Sequence, residues 1–115
     1  INIGTINENP TFLNRNDASG QRGIWSQNEV FGFWKVRIEA GAYDFKFKFN
    51  NLENSVGEMT LELGNNVFSN KVSIDKDGFA SMIDIKVLGG DYDLIPFLRL
   101  NRKNILPFWV EIKKK

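Results

Sequence analysis

The stretch AYDFKFKFN, Ala42 to Asn50, places Tyr43, Phe45, Phe47 and Phe49 at alternate positions, with Asp44, Lys46 and Lys48 between them. Successive side chains of a strand point to opposite faces, so this spacing predicts a half-buried antiparallel strand. The same period returns in EMTLELG, with Met59, Leu61 and Leu63 inward. In ASMIDIKVL it groups Ile83, Ile85 and Val87 against Asp84 and Lys86. The pattern predicts further strands over 31–38, 66–73, 91–98 and 106–113, and one or two short ones before Asn14. No segment carries a 3.6-residue stripe.

Turn residues fall between these runs at Ala40-Gly41, Gly64-Asn65-Asn66, Asp77-Gly78 and Gly89-Gly90, where a meander needs them. About seven or eight short strands at such spacing predict an all-β fold, an antiparallel β-sandwich of the jelly-roll or galactose-binding-like kind. At 115 residues the chain fits one domain, residues 1–115. A chain of that size buries roughly two thirds of the surface its unfolded form exposes. GAYDF at Gly41 to Phe45 is echoed by GDYDL at Gly90 to Leu94, which reads as two hairpins meeting the same need at the start of a strand.

Composition limits the chemistry. Histidine and cysteine are both absent, which removes the usual general base near neutral pH, thiolate nucleophiles and the commonest metal ligands. A net charge of +1 gives no field that points to nucleic acid. No apolar run reaches the roughly 20 residues of a membrane-spanning helix. The sequence opens at Ile1 without a signal-peptide pattern, so the expectation is a domain taken from a longer, exported protein.

Four groups of residues invite a functional reading. The polar stretch NRNDASGQRGIW gathers Asn14, Arg15, Asp17, Gln21 and Arg22 beside Trp25. Planar polar groups next to an aromatic ring suit a sugar, and the arginine fork suits a sulfate or carboxylate. The alternative is a long loop anchored by Ile24 and Trp25, or a surface for a neighbouring domain. The adjacent pairs Phe33-Trp34 and Phe108-Trp109 cannot both enter one core, so one ring of each needs a cover, and Trp34 joins the candidate contacts. Lys35, Arg37, Lys46 and Lys48 lie on polar strand faces, where they would form a shallow cationic patch or a balanced solvated face. Asp91 and Asp93 would serve as a catalytic pair only if both faced one cleft. DKDG, Asp75 to Gly78, departs from the spacing of a calcium loop and reads as a hairpin turn, so no metal site is expected.

Taken together, LNRNDASGQRGIW, FGFWKVRIEAGAYDFKFKF and the closing ILPFWVEIKK resemble the small β-sandwich that follows the catalytic domain in some bacterial arylsulfatase-like proteins, notably of gut Bacteroidetes. The resemblance runs from Asn9 to Lys113. It implies a C-terminal accessory domain of a sulfatase, packed on the N-terminal catalytic domain of the same chain and shaping its substrate cleft. It also implies a periplasmic or extracellular setting. The parent family uses calcium and a formylglycine in a Cys/Ser-x-Pro-x-Arg motif. Around Pro10, Pro96 and Pro107 that motif is missing, so no catalytic residue or cofactor carries over and this fragment is expected to be non-catalytic. The alternative function is a carbohydrate-binding module for a sulfated glycan.

Overall fold

Tyr43, Phe45, Phe47 and Phe49 are all wholly buried, as their alternation predicts. The computed structural model describes residues 2–4, 9–15, 18–20 and 32–115, and within them every regular element is a strand. The strands are β1 (Asn2–Ile3), β2 (Thr11–Asn14), β3 (Ser19–Gly20), β4 (Gly32–Ile38), β5 (Gly41–Lys48), β6 (Val56–Leu63), β7 (Asn66–Ser73), β8 (Phe79–Val87), β9 (Gly90–Leu100), β10 (Lys103–Ile105) and β11 (Trp109–Lys114).

They form two sheets. The larger runs β1-β4-β9-β6-β7, with β3 beside β4 and β10 beside β9, and the smaller runs β2-β11-β5-β8. All pairings are antiparallel except β1 with β4. Numbering the eight longest strands, β2, β4, β5, β6, β7, β8, β9 and β11, in chain order, the sheets read 2-7-4-5 and 1-8-3-6, the two interlocked Greek keys of a jelly roll. The sandwich expected from the periodicity is therefore present. Its inner faces merge in one core, where Trp34, Leu61, Leu94 and Leu98 of one sheet join Phe45, Phe47, Met82 and Val110 of the other. Burying a side chain of this size stabilises by about 1.5–3 kcal/mol.

The connections differ from a meander. Among the described turns, Gly64-Asn65, between β6 and β7, and Asn101-Arg102, between β9 and β10, turn the chain back onto its own sheet neighbour. Ala40-Gly41 and Gly89-Gly90 instead carry the chain from one sheet to the other, because β4 pairs with β9 while β5 pairs with β8. The repeated Gly-x-Tyr-Asp thus marks two arches between sheets and not two hairpins. Asp75 to Gly78 likewise leads from β7 in one sheet to β8 in the other. Its turn is held by the Asp75 carboxylate, which accepts the N–H groups of Asp77 and Phe79, each at 2.9 Å.

Strand β8 breaks its own alternation. Ala80, Met82, Ile85 and Val87 are buried, whereas Ile83 is 66% exposed. The expected inward trio loses Ile83 because the register slips between Tyr43 and Phe45, and Asp84 takes a φ of 55°. This is a β-bulge, and the Asp44 carboxylate accepts its N–H from Asp84 at 3.0 Å. Each inward residue beyond the bulge shifts by one position as a result.

Candidate ligand-binding face

Asn14 and Arg15 open the polar stretch singled out in the sequence. Arg15 is buried at 4% exposure, and its Nη2 donates to the Leu106 carbonyl at 2.6 Å. Its guanidinium lies 3.8 Å from the centre of the Phe108 ring, a cation–π contact that covers Phe108 from within the same chain. Burial pushes the arginine pKa down, yet a guanidinium stays charged at neutral pH. Trp34, expected among the surface contacts, is a core residue with no solvent exposure. Its indole N–H donates to the Asn14 carbonyl at 2.8 Å, so the ring serves packing and offers no surface to a ligand. Asp17, Gln21, Arg22 and Trp25 lie outside the described residues.

The Asn14 side chain is exposed and faces away from the core, onto the outer surface of the smaller sheet. Cross-strand register lines up Asn14, Trp109, Lys48 and Phe79 in one row across β2, β11, β5 and β8. Phe12, Glu111, Lys46 and Ser81 form the next row. Alternation puts both rows on the outer face. Three aromatic rings meet there. Phe12 and Trp109 have centroids 6.0 Å apart, and Phe79 meets Trp109 edge-on at 5.4 Å. The ammonium groups of Lys46 and Lys48 lie 4.3 and 4.8 Å from the Phe79 ring centre, and Lys48 also donates to the Asp77 carbonyl.

Beside these rings runs a groove of about 200 Å³, lined by Asp44, Lys46, Ser81, Ile83, Glu111 and Lys113. Ile83 supplies exposed apolar surface within it, and Phe12, at 57% exposure, adds more on the same outer face opposite Glu111. The face thus combines ring edges, the three lysines Lys46, Lys48 and Lys113, and a set of carboxylate, hydroxyl and amide groups. Such a surface can stack on the apolar side of a pyranose while pairing with its hydroxyls and with an anionic substituent. Of the polar stretch and Trp34, Asn14 is the described residue that contributes here, and Lys46 and Lys48 join it from the expected cationic group. Trp109 was recognisable from its pairing with Phe108, but nothing near Phe12 or Phe79 in the sequence brings them together.

The cationic patch expected from Lys35, Arg37, Lys46 and Lys48 does not form. The first two lie on β4 and the last two on β5, which are strands of opposite sheets. On the larger sheet, Lys35 stands opposite Asp93 and Arg37 opposite Asp91. Arg37 Nε meets the Asp91 carboxylate at 3.0 Å. These four charges line an open depression of about 440 Å³ with Val36 and Tyr92. Asp91 and Asp93 therefore share one surface, but each faces a cation across the strands in place of a substrate cleft. Among the described residues, no cluster of three or more acidic side chains is arranged to hold a metal ion. No family model matches the chain, and neither does any curated protein or solved structure.

Proposed function

We propose that this chain is a non-catalytic accessory β-sandwich of a sulfate-ester-cleaving protein, and that it holds an anionic glycan on the outer face of its smaller sheet. The sulfatase setting rests on the sequence resemblance. The binding role rests on one observation, the gathering of Phe12, Trp109 and Phe79 on an outer face where Lys46 and Lys48 flank the rings. Interleaved charges favour a hydrated, polar ligand over a dry protein interface, whose centre would be depleted of lysine. An accessory domain of this type would keep a sulfated substrate close to a catalytic partner.

Titration of the chain with matched sulfated and desulfated oligosaccharides, followed by tryptophan fluorescence, tests this reading. The expected result is a saturable signal in the millimolar to micromolar range, about −4 to −8 kcal/mol. Trp109→Ala should abolish it, and Lys46→Ala should weaken the sulfated ligand about tenfold while sparing the desulfated one. A flat response across the panel would overturn the binding role. A second reading, favoured by the exposure of Phe12 and Ile83, is that the same face docks on the catalytic domain. Protection of Phe12 from chemical labelling only when the upstream domain is joined would support it.

A further inference from the structure

Strand β7 ends the larger sheet, and among the described residues no strand pairs with its outer side. It runs eight residues in unbroken register with β6, without proline or bulge, and Lys71 is its single charged residue, so little blunts this edge. The β8 edge on the other sheet is blunted by the bulge at Asp84.

The hairpin shows which backbone groups are available. Gly64, with a φ of 61°, opens a two-residue turn, and such a turn makes Leu63 and Asn66 a pair that exchanges both hydrogen bonds. Alternation then directs the N–H and C=O groups of Asn66, Phe68, Asn70 and Val72 toward β6. Those of Val67, Ser69, Lys71 and Ser73 point outward.

We propose that this edge pairs with the β7 edge of a second copy of the chain, antiparallel about a two-fold axis through Asn70. A two-fold perpendicular to the sheet keeps each side chain on its own face, which restricts the possible registers. Centred on Asn70, the pairing sets Phe68 opposite Val72 of the other copy on the core side, and Val72 opposite Phe68. Val72 is buried and Phe68 half-buried, so the core runs on across the axis. On the outer side Ser69 faces Lys71 and Val67 faces Ser73, so no like charges meet. Asn70 is exposed although it lies on the core-side row between Phe68 and Val72. At the axis its amide meets its own copy, where donor and acceptor are mutually satisfied. The neighbouring register centred on Ser69 would instead set Phe68 against Asn70. A second copy is thus the occupant that this edge complements.

The absence of cysteine provides a register-specific test. On the axis, Asn70 forms a close pair whose Cα atoms stand about 4.5 Å apart, within disulfide reach. The expected result is that Asn70→Cys crosslinks to a covalent dimer under mild oxidation while Ser69→Cys still pairs but forms no covalent dimer. Sedimentation of the unmodified chain should show a mass that doubles with concentration. Lys71→Pro removes only an outward N–H, and Asn70→Asp places two carboxylates on the axis. Each should remain monomeric with an unchanged circular-dichroism spectrum. A wild-type chain that stays monomeric at every concentration overturns the proposal. So does a dimer that survives either substitution, or crosslinking through Ser69→Cys in preference to Asn70→Cys.

Discussion

Arg15 and Asp75 show how single polar side chains hold this sandwich where backbone pairing stops. Arg15 replaces a strand contact with a bond to Leu106 and a stacked ring, and both depend on its planar fork. Lysine at that position keeps the charge but loses the fork. Arg15→Lys should therefore lower stability by about 2 kcal/mol, read from the urea midpoint at unchanged m-value. Asp75 acts through ionisation. The Phe79 N–H above all, together with the Asp77 N–H and the charge of Lys46, holds its carboxyl below the usual carboxylate range. A depressed folded pKa means that the stabilisation is complete above the unfolded value, near 4, and is lost as pH falls through the folded one. Asp75→Asn should consequently melt below the wild type at pH 6, and the gap should close as the solution is taken below about pH 4. A gap that stays constant with pH would mean that the charge plays no part.

Turns and strands carry the next level of specification. The β9–β10 turn holds Asn101 and Arg102 at φ values of 52° and 67°, as a type I′ turn demands at both positions. Arginine is strained there, and Asn-Gly is the favoured pair. Arg102→Gly should raise stability by about 0.5–1 kcal/mol after the added freedom of the unfolded chain is counted, visible as a higher melting temperature. What could be read from the sequence follows the same logic. Tyr43 to Phe49 was legible because each side chain obeys its own strand. Ile83 was not, since its direction is set by a bulge whose N–H is accepted by Asp44 on another strand. A glycine turn such as Ala40-Gly41 satisfies a hairpin or an arch equally well, so sheet membership stayed hidden, and with it the separation of Lys35 and Arg37 from Lys46 and Lys48. The aromatic face was illegible for a related reason. Phe12, Phe79 and Trp109 belong to β2, β8 and β11, and only the completed strand order makes them neighbours.

At the scale of the whole molecule, the two arches are related by a pseudo-two-fold. Ile38 pairs with Gly90 in one sheet while Gly41 pairs with Val87 in the other. Each arch is closed by a tyrosine hydroxyl reaching back four residues, Tyr43 to the Glu39 carbonyl at 2.6 Å and Tyr92 to that of Leu88 at 3.0 Å. The arches also touch, since a Cβ added to Gly89 would stand 3.1 Å from the Ala40 nitrogen. They thus clamp both sheets at one place, but Tyr43 is wholly buried and Tyr92 only partly. Tyr43→Phe should cost about 1 kcal/mol and Tyr92→Phe a few tenths, because a solvent-reached bond is replaced by water. Contact between the arches predicts that the double variant departs from the sum by about 0.5 kcal/mol in urea unfolding. Simple additivity would show that the arches act separately. Burial first, and then the Glu39 carboxylate, push the Tyr43 phenol above its ordinary pKa. Its stabilisation is therefore complete below about pH 10 and declines as pH rises through the folded value. Tyr43→Phe should remove that part of the alkaline loss, whereas Tyr92→Phe should leave it in place.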